Sequence, residues 1–253
     1  MSSTKIYFRK PTDLREYTVI SGFPGMALVG KVSVDFLVDA LNAFPIAEIY
    51  SYGSPSYITV EDGLGKLPVA ELYMVKDKRI AILTGNYQPL TSELQHEFAD
   101  KIVSELASMG VSRIITMAAY VTEVISGERK AYIASNDERL LRELVENGGI
   151  PMSEGGVTGL NGLIVGWAKV HGIPAACVMG ETTTAYAEST LADYRAAKTA
   201  LKVVLGLLKL NIDLSELDVK AKEVEEEAKK IREELLKKMF TLAEKTGRPT
   251  TYL

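Results

Sequence analysis

Two kinds of hydrophobic spacing alternate along most of the chain, and this alternation limits the possible folds more than any other feature. Short apolar and β-branched runs, which are typical of strands, separate longer segments whose apolar residues recur every three or four positions. The predicted strands are 17–21, 46–52, 57–60, 69–75, 79–83, 113–119, 129–134 and 175–179. The predicted helices are 26–41, 88–109, 137–146, 160–170 and 193–210.

The order of these segments predicts an α/β fold. Strands that alternate with helices form a largely parallel sheet covered by helices, as in a three-layer sandwich. Residues 46–84 instead contain successive strands without a helix between them, which indicates an antiparallel portion. We therefore expect one mixed, largely parallel sheet. Because no repeat or low-complexity linker divides residues 1–213, we interpret them as a single domain.

The composition changes after residue 213. Residues 214–242 carry dense charge of both signs and contain neither glycine nor proline. Their apolar positions are three or four residues apart, close to a heptad repeat: Leu217, Ala221, Val224, Ala228, Ile231, Leu235, Met239 and Leu242. We expect a helix over 214–244 whose apolar stripe is buried along the domain or, if the helix projects, against a second copy. Residues 245–253 are then a flexible tail.

The composition also excludes several kinds of functional site. The chain of 253 residues has one cysteine, Cys177, and two histidines, His96 and His171. This is too few for a disulfide framework, a cysteine-type zinc site or an iron–sulfur cluster, and we expect no metal. The formal net charge is −4, whereas a nucleic-acid-binding protein usually has a basic face. With no membrane-spanning run and no signal peptide in view, we expect a cytoplasmic protein.

One segment has the spacing of a phosphate-binding loop. Residues 25–31 match the pattern GxxxxGK after a predicted strand, but Val32 stands where a magnesium-binding serine or threonine is needed. The residues between the glycines are apolar and bulky, so 26–41 is better interpreted as a continuous helix in which Gly30 allows close packing. Gly22 and Gly25 form either a tight strand-to-helix turn or a set of amides that holds an anion or a partner carboxylate.

Three further loops could bind a ligand or be purely structural. Residues 155–166 are rich in glycine around a helix start, with Thr158 as the expected cap. Gly85 ends a predicted strand. Glu181 and the threonines 182–184 follow another strand, where ligands of α/β sheets bind, although these side chains could equally satisfy the backbone and cap a helix.

The sequence offers no clear nucleophile. Cys177 lies in the middle of a predicted strand, as a buried cysteine does, and neither His96 nor His171 has an evident partner. The chain end is a better binding element. Thr251, Tyr252 and Leu253 combine an aromatic ring with a terminal carboxylate on a flexible tail, which is suitable for a peptide ligand.

Several segments, in the right order over residues 17–213, resemble the archaeal proteasome assembly chaperone family, homologues of the eukaryotic chaperones that help to build the proteasome α-ring. The segments are 22–30, 85–89 with 95–98, 159–163 and 180–182. The resemblance implies a nucleoside-phosphorylase-like α/β sandwich, a homo-oligomer and no cofactor. It also implies a C-terminal hydrophobic–tyrosine–any motif. Tyr252 and Leu253 match this motif, while Thr251 departs from its hydrophobic position.

By resemblance, this tail inserts between α subunits of the proteasome core particle, where its carboxylate pairs with a lysine and the Tyr252 ring packs on the pocket wall. The resulting hypothesis is a non-enzymatic proteasome assembly chaperone, with ATP-independent activation of the core particle as a further option. Two alternatives remain open. One is a small-molecule enzyme on a phosphorylase-like scaffold, and the other is an oligomeric scaffold for a different partner.

Overall fold

The computed structural model describes residues 2–229, and the chain divides into two compact units, Met1–Asp213 and Leu214–Leu253. The first half of unit one contains β1 (Thr4–Phe8), β2 (Thr18–Gly22), α1 (Val29–Ala40), β3 (Phe44–Ser51), β4 (Thr59–Glu61), β5 (Leu64–Lys66), β6 (Ala70–Val75) and β7 (Ile80–Gly85). The second half contains α2 (Ser92–Ser108), β8 (Arg113–Thr122), β9 (Ala131–Ser135), α3 (Glu138–Glu146), β10 (Ile150–Pro151), α4 (Gly159–Val170), β11 (Ala175–Thr183), α5 (Thr184–Ala187) and α6 (Tyr194–Leu208). Residues 215–229 of the second unit are helical and are named α7.

Nine strands form one mixed sheet in the order β1-β3-β6-β7-β2-β8-β11-β9-β10. The four central strands β7, β2, β8 and β11 are parallel to one another. At one end, β1, β3 and β6 form an antiparallel portion that reaches β7, and at the other end β9 pairs with β11 in antiparallel fashion. The prediction of a mixed α/β sheet with an antiparallel middle segment is therefore confirmed. The hairpin β4–β5 forms a separate two-stranded sheet.

Helices cover the sheet in two layers. The apolar stripe predicted for α2 is buried: Phe98, Ile102 and Leu106 pack with residues of α4 and with the sheet in the main core. On the other face, α1 packs against α6 and against the central strands. Side chains alternate along a strand, so Val19 of β2 lies in the main core and its neighbour Ile20 points the opposite way.

The structure differs from the local predictions in three respects. Residues 26–41 are not a continuous helix, because Met26–Leu28 is a 3₁₀ turn in which Ala27 and Leu28 have φ of 49° and 51°, and α1 begins only at Val29. Strands β1, β5 and β10 were not predicted. The strand predicted over 175–179 continues to Thr183, so Glu181 and Thr182 lie within β11 and not in a loop.

Candidate functional site

The motif segments 22–30, 85–89, 159–163 and 180–182 meet at one edge of the sheet. Because β7, β2, β8 and β11 are parallel, their carboxyl ends lie together, and this is the edge where α/β proteins usually bind ligands. The turn after β2, the segment after β7 and the start of α4 all converge there.

Asn161 of α4 ties the turn after β2 to the helix. Its side-chain Oδ1 accepts a hydrogen bond from Phe23 N at 3.0 Å, and its Nδ2 donates to Phe23 O at 3.2 Å. Its own carbonyl accepts from the hydroxyl of Thr116 in β8 at 2.6 Å. Phe23 lies just beyond the end of β2. The buried amide of Asn161 therefore supplies the hydrogen bonds that a neighbouring strand would otherwise give to the main chain at Phe23.

Gln88, from the segment after β7, caps the start of α4. Its Oε1 accepts from Leu160 N at 2.8 Å, and its Nε2 donates to Pro24 O. Thr158 occupies the N-cap position of this helix, as predicted. Its side chain makes no capping hydrogen bond, so that part of the prediction is wrong. A residue more than seventy positions earlier in the chain does this instead.

Gly22 and Gly30 bring α1 into direct contact with the sheet. A Cβ atom on Gly22 would lie 2.2 Å from Gly30 O, and one on Gly30 would lie 2.2 Å from Met117 O in β8. Lys31, the lysine of the phosphate-loop pattern, pairs with Asp35 one helical turn on, at 2.5 Å. These contacts favour the packing interpretation of the pattern over nucleotide binding.

Gly85 and Glu181 are likewise in close contact with the protein itself. A Cβ on Gly85 would lie 3.0 Å from the Ala70 Cβ and 3.1 Å from the Phe23 ring. Glu181 is 5% exposed, and its carboxylate accepts from Lys130 N at 3.0 Å. Of Gly22, Gly25, Gly85 and Glu181, only Gly25 lines the cavity at this sheet edge, together with residues 155–159 of the predicted glycine-rich loop.

A buried ion pair next to Glu181 was missed from the sequence. Asp193 is 1% exposed and accepts from Arg129 Nη1 at 2.7 Å, from Thr182 Oγ1 at 2.6 Å and from Ala196 N at 3.0 Å. Arg129 also donates to Glu181 O at 2.6 Å. Asp193 thus caps α6 and holds the loop before β9 against β11. An aspartate directly before an amphipathic helix was the available signal.

A cavity of about 480 Å³ opens at this sheet edge, beside the start of α4. The loop 154–159 forms one wall, and Met26, Met152 and Met179 contribute to an apolar lining. Among its lining residues, the only ionisable side chains are Glu154 and Tyr120. The cavity can enclose an apolar group, but its lining contains no histidine, cysteine, lysine or arginine for acid–base or nucleophilic chemistry.

The cysteine and the histidines lie elsewhere. Cys177 is buried within β11, and burial raises the pKa of its thiol to about 12, which leaves it protonated at neutral pH. His171 has a partner that was not evident from the sequence, since its Nε2 lies 2.6 Å from Asp100 Oδ1. His96 Nδ1 accepts from the indole of Trp167 at 3.2 Å. Both imidazoles therefore join α2 to α4 at the protein surface.

The predicted binding tail, Thr251, Tyr252 and Leu253, lies outside the described residues, as do Ile231 and Leu235 of the apolar stripe. Within α7, Leu217 and Ala221 are buried and Val224 is half-buried, while Glu223 and Glu225 between them are exposed. Over residues 2–229 no group of three or more histidine, cysteine, aspartate or glutamate side chains could hold a metal ion. No helix in that range is long and apolar enough to cross a lipid bilayer.

Comparison with known structures identifies similar folds. PbaB of Pyrococcus furiosus, described as an archaeal proteasome activator, is 29% identical, with a TM-score of 0.82 over 92% of this chain and 100% of that one. PbaA of the same organism, described as an archaeal homologue of proteasome-assembly chaperone, is 24% identical, with a TM-score of 0.78 over 95% of this chain and 98% of that one. The second likeness supports the fold alone.

Comparison of sequences identifies the family. An uncharacterized protein of Methanocaldococcus jannaschii is 31% identical over 208 residues, which are 80% of this chain and 79% of that protein. The PAC2 family model matches residues 19–232, which include every motif segment that meets at the sheet edge. The chain therefore belongs to the PAC2 family.

Proposed function

We propose that the protein is a cytoplasmic, non-enzymatic proteasome chaperone or activator that binds the α-ring of the core particle through its C-terminal tail. The observation that carries this proposal is the likeness to PbaB, an archaeal proteasome activator, over 92% of this chain at 29% identity. Membership of the PAC2 family supports the same conclusion. The pairing of likeness in fold with likeness in sequence makes this a stronger argument than fold alone.

The proposed binding element is Thr251, Tyr252 and Leu253. The Tyr252 ring supplies a large contact area that loses little conformational entropy on binding. The Leu253 carboxylate supplies a charge that a lysine in the partner can pair with. Thr251 contributes one methyl group at a position that accepts an apolar side chain.

Self-association makes such a short anchor effective. A single three-residue contact is weak, but several tails on one oligomer face a ring of repeated α subunits at high effective concentration, which can raise the affinity by about 10²–10⁴-fold. In this proposal, residues 1–213 form the chaperone domain and the helix 214–244 projects the tail. Leu217, at the start of the stripe, is already buried within one copy, and the later stripe positions Val224, Ile231 and Leu235 are the ones that the oligomer covers.

The sheet-edge cavity supports a binding role more than a catalytic one. Its lining offers one carboxylate, Glu154, and one phenol, Tyr120. Gly22, Gly85 and Glu181, the residues that an enzyme on this scaffold would present at the strand ends, are in contact with the main chain or the core. We propose that these residues stabilise the conformation of the sheet edge.

The test is a pull-down of purified proteasome core particle by the immobilised full chain. We expect binding by the unmodified chain, and loss of binding on deletion of Thr251–Leu253 or on Tyr252→Ala. Circular dichroism and native mass spectrometry should show the same fold and oligomer for all forms. Failure of the unmodified chain to bind would overturn the proposed function. Equal binding by the deleted chain would overturn the tail mechanism alone.

A further inference from the structure

An aromatic cleft of about 770 Å³ lies at the antiparallel end of the sheet, away from the sheet edge described above. Strands β1 and β3 and the segment 52–68 enclose it. Its apolar walls are contributed by Tyr7, Tyr50, Tyr52, Pro55, Tyr57, Ile58, Leu67 and Pro68. Tyrosine is enriched at protein–protein contacts, where it combines a large ring with a polar end. Lys5 also lines the cleft, with its Nζ 5.5 Å from the centre of the Tyr52 ring.

The hairpin β4–β5 stands next to this cleft with little cover of its own. Every residue of both strands is exposed. Along the segment, the apolar side chains of Ile58, Val60, Leu64 and Leu67 are 55–69% exposed. An isolated two-stranded hairpin is at best marginally stable in water, so the apolar hairpin requires a surface to pack on. Ile58, Val60 and Leu67 share one face of the hairpin, whereas Leu64 lies on the other face beside Glu61. Exposed apolar side chains of this kind usually mark an interaction site.

The cleft also runs along an unpaired strand edge. β1 is the first strand of the nine-stranded sheet, and its residues Lys5 and Tyr7, with Ser3 just before it, form part of the cleft wall. The other end of the sheet is protected differently, since β10 has only two residues and ends in Pro151. The β1 edge thus offers main-chain donors and acceptors beside the aromatic cleft.

Size, shape and charge identify the partner. The thirteen residues that line the cleft and the eight residues 59–66 of the hairpin form a patch of about twenty residues, which is the size of one side of a stable protein interface. A projection and a cleft stand side by side on one surface. The projection carries Asp62 at its tip beside Glu61, which pairs with Lys66 of the same hairpin at 3.4 Å, and the cleft contains Lys5. In a twofold pair of chains, the net negative tip of each copy would face the other copy's lysine.

We infer that this surface is the contact between two copies of the chain, with the hairpin of each copy packed in the aromatic cleft of the other. The inference rests on the proposed self-association and assigns the surface that produces it. It adds a contact on residues 3–68 to the one proposed for the helix 214–244, and the two contributions can be separated by mutation.

The test measures the mass of the full chain by native mass spectrometry and its association by sedimentation velocity. Leu64→Asp should weaken association at least tenfold. The matched control is Val170→Asp on α4, where an equally exposed apolar residue lies outside the patch and should tolerate the charge. Thermal melting of each variant checks that the fold is intact.

A charge exchange tests the pairing itself. Lys5→Glu should weaken association, and so should Glu61→Lys combined with Asp62→Asn, a change that keeps a residue suited to the hairpin turn. The three substitutions together should restore association, which a merely disturbed hairpin would not do. Absence of this rescue would overturn the inferred pairing.

The remaining outcomes separate this inference from the proposed function. If the unmodified chain is an oligomer that Leu64→Asp leaves unchanged, the inferred surface is wrong, while the proteasome proposal stands. If Leu64→Asp leaves the oligomer unchanged and abolishes binding to the core particle, the patch serves that partner, and the inference of a second copy is again overturned. If the unmodified chain is a monomer, self-association itself fails.

Discussion

The side-chain amide of Asn161 faces the main chain of Phe23 with both of its polar atoms, accepting from the N–H at 3.0 Å and donating to the carbonyl at 3.2 Å. Helix α4 is otherwise strongly apolar, so this buried amide is its main polar link to the sheet edge. Asn161→Ala leaves two buried main-chain groups without partners, and each such group costs about 1–3 kcal/mol. We expect a loss of stability of about 2–4 kcal/mol on that basis, measured by urea unfolding. Asn211→Ala, at an exposed position, is the control and should change stability by less than about 0.5 kcal/mol.

Two helix glycines form a matched pair for testing close packing. Gly30→Ala places a methyl group 2.2 Å from Met117 O, whereas Gly166→Ala in α4 meets nothing within 4 Å. We expect Gly30→Ala to destabilise the fold by about 3 kcal/mol or more, because α1 must move away from β8. Gly166→Ala should instead stabilise it by about 0.5–1 kcal/mol through helix propensity. Thermal unfolding measures both, and equal effects would contradict the close contact of α1 with the sheet.

The Arg129–Asp193 pair should contribute far more than an exposed pair of the same chemistry. Asp193→Asn removes the charge that Arg129 faces in a buried setting, and breaking such a pair costs about 3–5 kcal/mol. The control is Asp13→Asn, which breaks the solvent-exposed Arg15–Asp13 pair and should leave stability nearly unchanged. Chemical denaturation of both variants decides the point. If both variants lost the same amount of stability, the buried Arg129–Asp193 pair would contribute no more than the exposed pair, and the prediction would be wrong.

Glu97 should make stability depend on pH in the acid range. Burial alone would raise the pKa of its carboxyl, but hydrogen bonds from the Ser2, Ser3 and Thr4 hydroxyls outweigh burial and lower the pKa below its ordinary value. Because the folded-state pKa is the lower one, this carboxylate stabilises the fold above its unfolded-state pKa. The contribution disappears as the pH falls through the folded-state pKa.

Glu97→Gln should therefore cost about 1 kcal/mol near pH 7, a value kept small by solvent screening, and progressively less as the pH falls through the folded-state pKa. Melting temperatures across this range measure the convergence of the two curves. Glu146→Gln, at an exposed helix end, should run parallel to the unmodified chain throughout. A Glu97→Gln loss that stays constant with pH would show that the carboxylate charge is not what holds the N-terminal residues.

The tail proposal predicts a gain as well as a loss. Thr251→Ile adds apolar surface at the position where the family motif is hydrophobic, and burial of about one further CH₂ group contributes about 0.8 kcal/mol. We expect roughly fourfold tighter binding per tail to the core particle by surface plasmon resonance. Thr250→Ile, one position earlier, should leave the affinity unchanged. An equal gain from both substitutions would indicate nonspecific adhesion instead of a defined pocket.

Much of the fold could be predicted because it follows local patterns. The stripe of Phe98, Ile102 and Leu106 marks α2, and alternation of strands and helices indicates the parallel centre of the sheet. The hairpin β4–β5 carried an overlooked signal: Asp62 and Gly63, with φ of 49° and 79°, form the two-residue turn that an Asp-Gly pair favours.

The errors occur where distant residues decide local structure. The helix predicted from Met26 begins late because Ala27 takes a left-handed conformation, in which its carbonyl accepts from Asp193 N at 2.9 Å. The cap of α4 comes from Gln88 and not from the adjacent Thr158. Periodicity describes which face of a segment is buried, but it cannot indicate which remote side chain will complete a turn.

The burial of Cys177 has a practical consequence for studying this protein. Since the chain's only thiol is enclosed within β11 and stays protonated, the folded protein presents no reactive sulfur to a maleimide. A cysteine introduced at Ser54, in the cleft, or at Thr250, beside the tail, would therefore carry a single fluorophore without any change to the native thiol. Energy transfer between chains labelled separately could then follow assembly and partner docking as they happen.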